Sequence, residues 1–379
     1  MQIDVIHGIL WSKYKAGVFS EMYRLAHEYG VSIHFYQVAE SDTDRMMLSG
    51  VDVSYHRYPY VLLFEGAYSR ISRWKLVPTL FWRVYRSNAD LILLPGFSEL
   101  SHWGMLAGAI LSGKKRAVVS DSTLRDRRQS RLKGVFKRLF FRLCSGYFTY
   151  GQRGREYLLH YGATKGRIFQ RVQAAALPTE YSEDEVLERR NATLLDPTAP
   201  IFLFVGRLSE QKSLDTLLEA FKIVSSRIPG AKLRLVGGGQ LEGFLRDLSH
   251  KLCIADRVEF VGGLDLDKLS DEYAGATCLV LPSRCEPWGL VVNEALHFGC
   301  PVVVSDNCGC VPELIVDGVT GLVFSTDNIQ ELAKKLLDAV SVFSNGSKTA
   351  KACLGVISDY LPERSARQTM AGCLEILKA

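Results

Sequence analysis

The 379-residue chain lacks any apolar run near the roughly 18 residues that a membrane-spanning helix needs. Its start, "MQIDVIHGIL", lacks the basic segment and long apolar core of a secretion signal and carries Asp4 instead. It reads as a first β-strand, with a cytoplasmic location as the default. No CxxC accompanies the nine cysteines, whose closest pair is the CxC of Cys308 and Cys310. That spacing argues against a zinc site and for buried, reduced thiols, so no metal is expected. There is no short-period repeat, no low-complexity tract and no GxGxxG.

Hydrophobic residues make up 47% of the chain, enough for packed cores and too many for a disordered protein. The net charge of +5 conceals an asymmetry. Residues 113–171 hold sixteen Lys or Arg against Asp121, Asp126 and Glu156, so this segment is near +13 and the remainder near −8. Such a block suits an anionic partner on one face of one domain.

Short β-branched runs alternate with amphipathic stretches. "IDVIH" precedes "VFSEMYRLAHEY", where Val18, Met22, Leu25 and Ala26 recur at helical spacing and Gly30 stops the pattern. "VSIHFYQV", "DLILLP", "RAVVS" and "GYFTY" continue the series, and a second series opens at "IFLFVG" and runs through "KLRLVG", "RVEFVG", "TCLVLP", "PVVVS" and "GLVF". The alternation predicts two α/β domains with parallel sheets and a cleft between them, ligands sitting at the carboxyl ends of the strands. The first domain is expected at 1–180, a polar linker at 181–200, the second domain at 201–360 and a terminal helix at 361–379.

Three stretches carry chemistry. In "VGRLSEQKSLDTLLEAF", Gly206 leaves a strand, and Arg207 and Lys212 precede a helix start; two cations beside free amides make a phosphate site, or alternatively a solvated loop. In "LRLVGGGQLEGFL", Gly238 and Gly239 belong to a turn that allows close backbone approach to a ligand, or is simply a tight strand–helix turn. In "CEPWGLVVNEALHFG", seven residues separate Glu286 from Glu294. Gly289 permits a sharp turn, a helix begins near Leu290, and a carboxylate can accept two hydroxyls in parallel, which suits a nucleotide sugar. Otherwise Glu286 is a solvated loop residue and Glu294 a carboxylate favoured by the helix dipole.

"VGRLSEQK", "LVGGGQ", "LPSRCEPWGLVVNEAL", "GCPVVVSDNCGCVPELIVDGVTGLVF" and "NIQELAKKL" occur in the order seen in family 4 glycosyltransferases, which this sequence resembles over residues 201–337. The resemblance implies a GT-B fold, two Rossmann-like domains with parallel sheets facing an interdomain cleft, and a retaining mechanism. It implies that Glu294 binds the donor's ribose, that Glu286 and the backbone at Trp288, Gly289 and Leu290 lie against the donor sugar and diphosphate, and that Arg207 and Lys212 neutralise the leaving group. The loop 260–269 is similar to the one framing the base, and the last helix is expected to pack back on the first domain.

The N-terminal half resembles the family less. Gly17 matches the last glycine of the family's glycine-rich loop. Where many members carry a histidine after the fifth strand, "RAVVSDST" offers Asp121, with His102 the next candidate, although a lone histidine beside Trp103 more often serves structure. In "RDRRQSRLKGVFKRLFFRL", Leu132, Phe136, Leu139, Phe140 and Leu143 share a helical face. Arg125, Arg128, Lys133 and Lys137 are the cations expected to meet an acceptor or an anionic membrane; a core helix with a solvated side is the plainer reading. Nothing resembles a base-reading motif, so nucleic acid is not expected.

The expected activity is retaining, metal-independent transfer of a hexosyl-type group from a nucleotide-diphosphate sugar, UDP ahead of GDP, to a glycan or lipid-linked hydroxyl. Catalysis is assigned to Arg207, Lys212, Glu286 and Asp121. The nucleotide sugar is a substrate, and no cofactor is expected. Bacterial surface polysaccharide or glycolipid assembly at the inner face of the membrane is the expected setting. A sugar-nucleotide epimerase of the same fold and a degenerate nucleotide-binding subunit are the alternatives.

Overall fold

The computed structural model describes residues 1–43, 51–126, 129–178, 180–192 and 196–379. The chain forms two units, the first of Met1–Ala176 with Tyr360–Ala379 and the second of Leu177–Asp359.

Unit 1 is built on seven parallel strands: β1 (Gln2–Ile9), β2 (Ser32–Ala39), β3 (Tyr60–Leu62), β4 (Leu91–Leu94), β5 (Lys115–Ser120), β6 (Gly146–Tyr150) and β7 (Ile168–Arg171), in the order β3-β2-β1-β4-β5-β6-β7. The "LILL" of β4 is buried throughout because helices cover both faces of the sheet. On one face the helices Lys13–Glu28 and Pro362–Lys378 bring Met22, Leu25, Met370 and Cys373 against Ile3 and Val5. On the other, the helices Arg73–Tyr85, Leu100–Leu111 and Arg131–Arg142 pack Leu80, Met105, Phe140 and Phe141 against Ile92, Leu94 and Val118. The last helix is thus part of the first unit's core: a Cβ on Gly372 would come within 2.6 Å of the Phe148 ring.

Unit 2 repeats the plan with β8 (Ile201–Val205), β9 (Lys232–Val236), β10 (Val258–Gly262), β11 (Cys278–Leu281), β12 (Val302–Ser305) and β13 (Gly321–Phe324), ordered β10-β9-β8-β11-β12-β13. In each sheet the strand order reverses once, beside β1 and β4 in unit 1 and beside β8 and β11 in unit 2. Loops leaving adjacent strands there diverge to opposite faces and open a crevice, the usual place for a ligand in such sheets.

One stretch differs from expectation. The acidic segment taken for a linker contains a helix of unit 2, Glu183–Ala192, that buries only Val186 and Arg190 and so shows no apolar stripe in the sequence. Arg190 anchors it by donating to the carbonyls of Ala274 at 2.9 Å and Ala276 at 2.8 Å. Among the described residues no helix is long and apolar enough to cross a membrane. None of the nine cysteines is in a disulfide, and Cys308 and Cys310 are fully buried.

Candidate functional site

The β8 and β11 loops of unit 2 bring two of the expected residues together. Lys212 Nζ pairs with Glu286 Oε2, and the side chains are only 13% and 16% exposed. Ser283 Oγ donates to the same carboxylate oxygen at 3.5 Å. Arg207 follows Gly206 in the β8 loop and is partly buried. Charges this little exposed beside a helix start act in a lower dielectric than solvent, which strengthens their interaction with an anion.

A cluster that sequence reasoning missed holds these loops. Arg284 Nε donates to Asp327 Oδ1 at 2.7 Å, its Nη2 donates to Asp215 Oδ2 at 2.9 Å, and its backbone amide donates to the Gln211 carbonyl at 2.9 Å. Ser213, at φ 53°, donates from Oγ to Asp327 at 2.9 Å. The guanidinium therefore ties the β11 loop to the β8 loop and sets Glu286 beside Lys212. Its partners lie 69 and 43 positions away, so no local pattern exposes the cluster.

The second glutamate stands apart from the cations. Glu294 lies in the helix Leu290–His297, whose first turn follows Gly289 at φ 99°. Its Oε2 accepts the Tyr273 hydroxyl at 3.0 Å. Burial pushes the carboxyl up to about 7, and the Tyr273 hydrogen bond pulls it partly back. Tyr273 is buried and stacks on Phe298 with centroids 5.6 Å apart, so the partner of Glu294 is fixed by the core. A carboxylate held this way is a preorganised acceptor for hydroxyl donors.

The glycine turns have local causes. A Cβ on Gly239 would sit 2.4 Å from the Leu208 carbonyl oxygen, while Gly238 faces open space. The turn thus lets β9 close on the loop carrying Arg207. Gly309, not singled out from the sequence, would place a Cβ 1.8 Å from the Pro287 carbonyl oxygen. Its amide donates to Glu286 O and that of Cys310 to Trp288 O, both at 2.9 Å. The CxC segment is accordingly the floor of the Glu286 loop. The Trp288 indole is buried and donates to Asn293 Oδ1 at 2.7 Å, so the ring is committed to packing inside unit 2.

In unit 1 the crevice between β1 and β4 opens into a cavity of about 310 Å³ lined in part by His7, Lys15, Glu99, His102, Asp121 and Arg171. Asp121 follows β5, is 44% exposed and lies 3.8 Å from Lys15 Nζ. His102 is buried, which lowers its basicity, and accepts the Glu99 amide at 3.3 Å through Nδ1. Gly17 is not in a loop: it lies inside the helix Lys13–Glu28, where a Cβ would meet Pro362 at 3.5 Å.

The basic helix Arg131–Arg142 starts at Ser130, whose side chain accepts the Lys133 amide. Phe140 and Phe141 enter the core, whereas Leu132, Val135, Phe136 and Leu139 stay exposed. Arg125 and Lys133 are exposed. Lys137 departs from the expected solvent face: its ammonium sits over the Tyr157 and Tyr161 rings at 5.1 and 4.5 Å, and burial lowers its basicity. Arg128 lies outside the described residues.

Residues 186–344 match the family model "Glycosyl transferases group 1". A D-inositol 3-phosphate glycosyltransferase of Rhodococcus opacus is 34% identical over 189 residues, 48% of this chain and 42% of that protein. A GDP-mannose-dependent alpha-(1-6)-phosphatidylinositol monomannoside mannosyltransferase of Mycobacterium tuberculosis is 35% identical over 148 residues, 36% of this chain and 38% of the relative. The chain thus spans about two fifths of these curated relatives. The crystal structure of HepE from Anabaena, in complex with UDP and glucose, is similar over 99% of both chains, with a TM-score of 0.72 and 17% identity. The family match spans the segment that carries the site of unit 2, and the chain-long likeness covers both sheets: residues 186–344 are similar to the glycosyl transferases group 1 family, and the chain has the GT-B fold.

Proposed function

We propose that the chain is a retaining glycosyltransferase that takes a sugar from a nucleotide-diphosphate donor, UDP ahead of GDP, and passes it to a hydroxyl of a glycan or lipid-linked acceptor. The observation that carries this reading is the Lys212–Glu286 pair at the reversal point of the unit 2 sheet, with Glu294 on the helix that follows. Glu294 accepts the ribose hydroxyls, and Glu286 orients the sugar. Lys212 and Arg207 neutralise the diphosphate as the bond from the anomeric carbon to the phosphate oxygen breaks. The acceptor oxygen bonds to that carbon on the same face, and its proton passes to the departing diphosphate. Charge from the two cations and the helix starts serves in place of a metal ion. Asp121 acts on the acceptor side.

An anionic lipid surface is the proposed setting, with surface polysaccharide or glycolipid assembly as the pathway class. The exposed Leu132, Phe136 and Leu139, interleaved with Arg131, Lys133 and Arg138, support it. So does Trp74, 92% exposed on the helix Arg73–Tyr85, which covers the same face of the sheet.

The test is thermal shift with a panel of sugar nucleotides, followed by mass spectrometry with candidate acceptors. A donor at 100 times its dissociation constant should add about 2.7 kcal/mol of apparent stability. Transfer supports the reading; conversion of the donor sugar without transfer indicates an epimerase, and binding without turnover a degenerate subunit.

A further inference from the structure

Two buried cations of unit 1 have no role in the donor chemistry above. Lys15 and Arg171 both line the unit 1 cavity, and both are at least nine-tenths buried. Lys15 Nζ donates to the Tyr150 hydroxyl at 2.7 Å. That phenol is itself buried, which raises its pKa and keeps it neutral, so it offers Lys15 no counter-charge. The one carboxylate within 4 Å of Lys15 among the described residues is the half-exposed Asp121, at 3.8 Å. Arg171 ends β7 and stacks over the Tyr150 ring at 4.5 Å. Its Nε and Nη2 are buried and, among the described residues, have no hydrogen-bond partner. A buried guanidinium with idle N–H groups is costly to a fold unless something satisfies it.

The strand order sorts charge across the cavity. The carboxylates Asp42 and Glu99 follow β2 and β4. Lys15 reaches the end of β6 and Arg171 ends β7. β4 and β7 are three strands apart, about 14 Å at the usual spacing. Glu99 is already engaged by the Tyr68 hydroxyl at 2.6 Å. The cavity is therefore asymmetric, with Asp42 and Glu99 toward one side and Lys15 and Arg171 toward the other, where the half-exposed Asp121 is the carboxylate beside Lys15.

We propose that this cavity is an acceptor subsite for a sugar or polyol ring bearing an anionic group, a phosphate or a carboxylate, which Lys15 and Arg171 bind while ring hydroxyls face the carboxylates. The inference rests on the transferase reading, since it names the chemical class of that enzyme's acceptor. Arg171 is a binding residue here, with no part in bond breaking.

The test is calorimetry on the full chain with hexose 1- and 6-phosphates, hexuronates and the neutral hexoses. The expected result is that at least one anionic compound binds about tenfold or more tightly than its neutral counterpart, as loss of a charge-assisted bond implies. Whether the phosphates or the uronates win identifies the anion. R171Q should lose that preference and R171K retain part of it, whereas R207A should keep it. Equal binding of neutral and anionic compounds by the wild type overturns the proposal and needs no variant to fold. So does a loss of UDP binding in R171Q as large as its loss of hexose phosphate, which would make Arg171 a donor contact. If sugar-nucleotide binding persists while anion preference is absent, only this inference falls; if sugar nucleotides do not bind at all, the transferase reading falls with it.

Discussion

Glu294 couples the site to pH in two opposite senses. Its carboxyl is raised from an ordinary value of 4.5 to about 7 in the folded chain, so between those values the folded chain holds protons that the unfolded chain releases. The stability contribution of this group is full below about pH 4.5 and declines until about pH 7. Donor binding should run the other way, because the ribose contact proposed for Glu294 needs the ionised form. We expect sugar-nucleotide affinity to fall about tenfold per pH unit below 7, and Glu294→Gln to weaken binding and flatten the profile; calorimetry from pH 5.5 to 8 reads both. Glu294→Ala should weaken free nucleoside diphosphate as well, whereas Glu286→Ala should act mainly on the sugar nucleotide, and the reverse ranking would contradict the assigned roles. Lys212→Ala should lower turnover by about 10²–10³-fold, the usual loss when one preorganised charge-stabilising group is removed. Single-turnover kinetics measures this; a near-normal rate would remove Lys212 from the leaving-group site.

At the scale of elements, the loops of unit 2 depend on close approaches that only glycine allows. Gly309→Ala would drive a methyl group into the Pro287 carbonyl, and Gly239→Ala into that of Leu208. Each should cost about 1–3 kcal/mol, as overpacking does, and should weaken donor binding by shifting Glu286 or Arg207. Urea unfolding and calorimetry check the pair. These approaches mark the limit of what a sequence shows. The strands and the Glu286–Glu294 spacing were legible because periodicity and motif order are local. Gly309, Arg284 and Tyr273 were not, since their roles come from contacts made across the fold. Helix Glu183–Ala192 escaped for a related reason: it is held by Arg190 hydrogen bonds instead of an apolar stripe. Lys137 looked like a solvent cation until two tyrosine rings closed over it.

At the scale of the molecule, the last twenty residues complete unit 1 rather than unit 2. Ending the chain at residue 359 would uncover Phe148 and the faces of Ile3 and Val5. We expect hydrogen exchange to show loss of protection in β1, β6 and β7, with the strands of unit 2 still protected. The basic face should give salt-sensitive liposome binding, with each Lys or Arg near an anionic leaflet contributing about 1 kcal/mol. A Lys133, Arg138 and Arg142 to Gln variant should bind less; failure of the wild type to co-sediment with acidic liposomes at low salt would end the membrane proposal. The proposed reaction is same-face transfer driven by the unit 2 cations. Proton NMR of the full chain with its sugar nucleotide and acceptor tests it most directly. Nucleoside diphosphate should be released, the new glycosidic bond should keep the donor's anomeric configuration, and both signals should fall by about two orders of magnitude or more in Arg207→Ala and Lys212→Ala. An inverted anomer, or release unchanged in both variants, would contradict it.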